Sequence, residues 1–172
     1  MIRLRPYKRC DADLINEWVR EKSIFLKWGG EYFCNYPITP EIIDEKYSKR
    51  NGNCAEPDNF YPWTAIDEDN RPVGHFIMRY TNGDTRQLRF GWVIVDQSLR
   101  GKGYGKQMLL LGLKYAFEIL QVDKVTLAVF ENNESAHWCY KEVGFTDKEI
   151  LLGEPWNIVE MEISRNRYYG IS

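Results

Sequence analysis

A chain of 172 residues, 44% of them hydrophobic, can close one core, and a single domain over residues 1–172 is expected. Its formal net charge of −2 offers no basic footprint for nucleic acid. No apolar run reaches the about 18 residues that a membrane helix needs, and the four cysteines (Cys10, Cys34, Cys54, Cys139) form no C-x-x-C pair, which disfavours zinc and suits reduced thiols in the cytoplasm.

Ile2 to Pro6 reads as a first strand. Asp11 or Asp13 then caps a helix through about Glu21, with Leu14, Ile15, Trp18 and Val19 on one face. Ser23 to Ile38 reads as irregular and aromatic. Thr39-Pro40-Glu41 opens a second helix to about Lys49, with proline at its first position. Three strands follow, Tyr61 to Asp67, Val73 to Thr81 and Arg86 to Val95, the last two joined by the hairpin turn Asn82-Gly83-Asp84. From Lys106 to Leu120, Met108, Leu109, Leu113, Ala116, Phe117 and Leu120 recur at helical spacing. Val125 to Phe130 is a central strand, and Asn133 to Val143 a short helix stopped by Gly144. Two strands, Phe145 to Leu152 and Trp156 to Ile163, close the chain before a loosely held polar tail. This order predicts a mixed α/β fold: a mostly antiparallel sheet of about seven strands flanked by about four helices.

The stretch Arg100-Gly101-Lys102-Gly103-Tyr104-Gly105 lies between the third of those strands and the long helix. A glycine turn there leaves N–H groups free at a helix N-terminus, which is an anion site. Gly105-Lys106 is followed by Gln107, so the Walker pattern fails for want of a hydroxyl. No G-x-G-x-x-G register fits either, so the dinucleotide fingerprint fails. A third pattern, Arg or Gln-x-x-Gly-x-Gly or Ala after a strand, does fit.

That pattern resembles the acyl-CoA pyrophosphate loop of the GCN5-related N-acetyltransferase superfamily. Asn133, Ala136, Tyr140, Gly144 and Phe145 stand at the places of the family's second signature. The resemblance is good from Val73 to about Ile163 and implies the family's fold, with a core for acetyl-CoA over about 61–163 and an acceptor side over about 1–60. The overall pattern looks like the ribosomal-protein N-terminal acetyltransferase branch, and Trp28-Gly29-Gly30 resembles aminoglycoside 6'-N-acetyltransferases. The implied activity is direct transfer of acetyl from acetyl-CoA to a primary amine on a small molecule or a protein, without metal, by a monomer or homodimer. Two rival readings are a non-catalytic acyl-CoA-binding module and a partner-binding scaffold that has lost the cofactor.

The resemblance implies roles residue by residue. Backbone from Gly101 to Lys106, with the charges of Arg100 and Lys102, holds the pyrophosphate, joined by Gly103, Tyr104 and Gly105. Val93, Ile94 and Val95 pair with the pantetheine arm as an added strand would, on a strand that diverges from its neighbour where Gly91 eases a bulge. Asn133 and Ala136 complete the site, the N–H near Val93 meets the oxyanion, and Tyr140 protonates the leaving sulfur. Many relatives carry a glutamate just before the glycine-aromatic pair, where this chain has Arg89 before Phe90-Gly91-Trp92. The base is thus open among Glu31, Asp67, Glu68, His75, Glu131 and a water chain. Trp28, Glu31 and Trp63, with Tyr32 and Phe33, are expected to form an aromatic, acidic cleft for a cationic amine.

Overall fold

The structure, a computed structural model, describes residues 1–33, 35–51 and 59–171. Cys34, Cys54, Glu56 and Asp58 lie outside the described residues. The elements run β1 (Arg3–Pro6), α1 (Asp11–Trp18), α2 (Lys22–Trp28), α3 (Pro40–Arg50), β2 (Phe60–Ile66), β3 (Pro72–Thr81), β4 (Asp84–Val95), α4 (Tyr104–Lys114), β5 (Lys124–Phe130), α5 (Glu134–Val143), β6 (Thr146–Leu151), β7 (Ile158–Ser164) and α6 (Arg165–Ile171). The strands form one sheet in the order β1-β2-β3-β4-β5-β7-β6, antiparallel except for the β4–β5 pair. This is the expected mixed α/β architecture. Among the described residues no helix is long and apolar enough to cross a membrane.

Both faces of the sheet are covered, so β3 is buried along most of its length. Phe76 and Met78 pack with Phe90, Leu109, Leu113 and Leu127 on the α4 face, whereas Ile77 packs with Ile15, Phe25, Trp28, Ile43 and Tyr47 on the α1–α3 face. The two-residue period of the strand thus feeds two cores. Asn82 and Gly83, with φ of 58° and 67°, make the tight β3–β4 turn expected of an Asn-Gly pair.

Three local expectations change. The first helix stops at Trp18, and the stretch expected to be irregular holds α2 and a 3-10 turn at Gly30–Tyr32, because Phe25 and Trp28 bury one helical face. The tail is helical rather than loose, anchored by buried Tyr168, whose hydroxyl donates to Glu118 at 3.1 Å. Asp11 does not cap α1 but occupies its first turn, and Cys10 is the capping residue.

Asp11 is 2% exposed and carries a dense set of partners. The Arg5 guanidinium donates to both its oxygens at 2.6 and 2.7 Å, the Lys8 N–H at 2.8 Å and the Thr64 hydroxyl at 2.8 Å. Burial by itself would raise its pKa. The hydrogen bonds from Arg5, Lys8 and Thr64 outweigh that and hold the carboxyl below its usual value. This one side chain ties β1, β2 and the start of α1 together.

Candidate active site

β4 pairs with β5 only from Gln87 to Arg89, and the remainder of β4 has no strand beside it on that edge. The cause is local. Register slips between His75 and Ile77 opposite Trp92, whose φ of 48° is left-handed. A bulge bends the strand away from its neighbour. The strained residue is therefore Trp92, not Gly91 as expected. Left-handed backbone in a bulky residue costs about 1–3 kcal/mol and persists only when packing holds it. Here the indole stacks on Tyr47 at 5.5 Å and contacts Phe33 and Phe60, while the Trp92 carbonyl accepts from Trp28 Nε1 at 2.8 Å.

The opening is a groove of about 530 Å³. Val93, Ile94, Val95, Arg100, Gly101, Gly103, Tyr104, Gly105, Lys106, Asn133, Ala136 and Tyr140 all line it. The turn is held from behind by Asp96, which accepts from Ser98 N–H and hydroxyl at 2.8 Å each. Gly103 caps α4 at φ 79° with no side-chain bond, a conformation suited to glycine. The first helix N–H to find a backbone carbonyl is that of Gln107, on Gly103 at 3.1 Å. Among the described residues, the N–H groups of Tyr104, Gly105 and Lys106 have no backbone acceptor outside the helix, so they are available to an anion. The groove thus fits a pyrophosphate at one end and an extended amide arm along β4. Lys102 does not line it, and the Lys106 ammonium is taken by Glu142 at 3.0 Å.

Tyr140 lines the groove from α5 and is otherwise buried. Burial raises its phenol pKa far above the usual value, so the hydroxyl stays protonated at neutral pH. Sequence reasoning missed Lys27, Trp138 and Cys139 in this lining, because nothing local marks them.

A second cavity of about 320 Å³ meets the groove at Lys27 and Trp28. Trp28 and Glu31 line it as expected. Trp63 does not: β2 alternates, Phe60 faces this cavity, and Trp63 points to the α4 face, its ring 4.8 Å from Tyr115. The expected acidic cleft is also corrected. Among the described residues its charged lining is Lys27, Arg50, Arg79 and Arg89 against Glu31 and Glu160. Three distant segments deliver those arginines, so no local run of sequence displays them. Arg89 grips Glu160 with two hydrogen bonds at 2.8 and 2.7 Å, the partner that replaces a free carboxylate at this place.

The candidate bases separate by position. Asp67 bonds to Arg71, Glu68 to the N-terminal amine, and Glu131 to Asn157, none of them in the cavity lining. Glu31 lines the cavity, and burial raises its carboxyl pKa above the usual value. His75 is fully buried, its Nε2 sharing a 2.7 Å hydrogen bond with the Tyr47 hydroxyl. Burial lowers its pKa to about 3, against a weaker opposing pull from Asp11.

That shift gives a stability prediction. The unfolded chain protonates His75 near its ordinary value of about 6.5 and the native protein does not. Stability is therefore full above about 6.5 and falls as pH drops towards the folded value of about 3. Between pH 7 and 5 the loss is about 2 kcal/mol. Urea midpoints across that range should fall in the parent and stay nearly level in His75→Gln. A level parent, or an equally steep variant, refutes this.

Comparison with known proteins agrees with the geometry. The family model for an acetyltransferase (GNAT) domain matches residues 2–146. A spermidine N(1)-acetyltransferase of Vibrio cholerae is 25% identical over 88% of this chain and 82% of its own length. A peptidyl-lysine N-acetyltransferase of Escherichia coli is 29% identical over 58% of this chain and 61% of its own. A crystal structure of spermidine N-acetyltransferase from Vibrio cholerae in complex with CoA and spermine superposes with a TM-score of 0.80, at 23% identity and 98% coverage of both chains. The glycine turn, the splayed β4–β5 edge and the family match over most of the sequence lead to one conclusion: the chain belongs to the GNAT acetyltransferase family.

Proposed function

We propose that this protein acetylates the primary amine of a small molecule, with acetyl-CoA as donor and Tyr140 as general acid. The observation that carries the reading is the junction at Lys27 and Trp28, which line both the groove suited to the donor and a second cavity. Transfer by direct attack needs such a meeting point, because it brings amine and thioester into one near-attack arrangement.

The steps follow from the residues. An alkyl ammonium has a pKa of about 10.4, so a group must take its proton. Of the two cavity carboxylates, Glu160 has both oxygens taken by the Arg89 guanidinium. Glu31, raised by burial, is the better proton acceptor. The amine nitrogen then bonds to the thioester carbon, and the backbone edge of β4 near Val93 meets the developing oxyanion. As the carbon–sulfur bond breaks, Tyr140 gives its proton to the sulfur, and the second proton shed by the amine nitrogen, carried through water, restores the phenol. The described cysteines Cys10 and Cys139 carry free thiols, which fits a reducing compartment such as the cytoplasm.

The test is an acceptor screen that reads thiol release, run beside thermal melts with acetyl-CoA. Saturating donor should raise the midpoint, since a ligand bound only by the native state must stabilise it. Stabilisation without turnover on any amine would favour the binding-module reading.

A further inference from the structure

Among the described residues, the acceptor cavity is lined by four cationic side chains, Lys27, Arg50, Arg79 and Arg89, and by two carboxylates, Glu31 and Glu160. Arg79 on β3 and Arg89 on β4 stand directly opposite each other in the sheet register. Like charges at directly opposed positions repel. Glu160 satisfies Arg89 through its paired hydrogen bonds. Among the described residues, Arg79 and Arg50 have no carboxylate within ion-pair distance, and both line the cavity. Burial first, then Arg89 and Arg50, lower the pKa of Arg79 against an opposing pull from Tyr32, and the net shift disfavours its charge. Phe60, Phe90, Phe130 and Ile158 line the same space and lower its dielectric, which strengthens the imbalance.

A guanidinium fork in such a place is matched by a carboxylate or a phosphate. A second ammonium is not: a polyamine reaching in from the junction would set its distal cation against Arg79. A volume of about 320 Å³ suits a small molecule.

We propose that the acceptor is a small primary amine bearing a carboxylate or phosphate, whose anion is held by Arg79 and Arg50 with Arg89 behind them. The proposal rests on the acetyl-transfer reading and adds the class of acceptor to it.

The experiment uses amine pairs that differ only by the anion: lysine against cadaverine, ornithine against putrescine, and phosphoethanolamine against ethanolamine, with spermidine as the polycation. Binding to the CoA-saturated protein is measured by calorimetry, beside thiol release with acetyl-CoA. The anionic member of at least one pair should bind about tenfold or more tightly than its partner. A preference confined to the carboxylate pairs or to the phosphate pair assigns the anion. Arg79→Gln should bring the preference to within about threefold, and Arg79→Lys should restore part of it. Arg50→Gln, at the exposed end of α3, is a second variant that leaves the core untouched and should shrink the preference too. Tighter binding of cadaverine or spermidine overturns the proposal, as does an unchanged preference in both glutamine variants, or binding of no member of any pair. Selective binding with no transfer upholds the anion site formed by Arg79 and Arg50 and counts instead against the acetyl-transfer reading.

Discussion

Replacing Tyr140 with phenylalanine is expected to lower kcat about 100-fold or more while leaving CoA affinity within about threefold. A positioned general acid contributes about 10²–10⁴ in rate. Only the hydroxyl is lost, and the ring keeps its place beside Phe145, their centroids 6.3 Å apart. The end of the groove at the start of α4 is untouched by the change. Because burial keeps the phenol protonated, the parent's rate should show no downturn between pH 7 and 9 from this group. Thiol release and calorimetric titration with CoA read the two quantities separately. Turnover within about threefold of the parent would remove Tyr140 from the chemistry, and a parallel loss of CoA binding would make its role structural.

The largest effect on stability is expected at Asp11. Asp11→Ala strands the Arg5 guanidinium and the Thr64 hydroxyl in a mostly buried place. Removing one partner of a buried pair costs about 3–5 kcal/mol, because the other charge stays behind uncompensated. For a chain of this size that is a fall of about 6–20 °C in Tm. Asp11→Asn keeps the shape and one acceptor oxygen for Lys8 or Thr64, so it should lose less than the alanine variant. Denaturant unfolding of the three proteins checks the order. The double variant Arg5→Met with Asp11→Leu should recover much of the loss, since a packed apolar pair is often neutral. If Asp11→Ala unfolds within about 1 kcal/mol of the parent, the network is only a surface pair in energetic terms.

The groove beside β4 and α4 was legible because its information is local. The turn from Arg100 to Gly105 needs positive φ at Gly103 and bare N–H groups after it, and both follow from residue types in a row. The α5 signature from Asn133 to Gly144 is a run on one helix, so its spacing carries straight into the groove. Lys102 shows the limit of this: a charge beside a motif is not a charge inside the site. The second cavity was read less well. Trp63 was assigned by proximity in pattern, and a one-residue step along β2 set it on the opposite face. Trp92 was overlooked as the bulge residue because glycine is the usual choice, and only the aromatic packing around it allows the exception.

The sequence by itself determined the strands, most of the helices, the two-faced sheet and the glycine turn at the start of α4, since periodicity and glycine placement act over a few residues. Tertiary structure alone decided the character of the second cavity. Arg50, Arg79, Arg89 and Glu160 come from four separate elements, and their charges meet only when strand register and the β4 bulge are fixed. Electrostatic balance depends on distances between chain-distant groups, and no stretch of sequence records those distances.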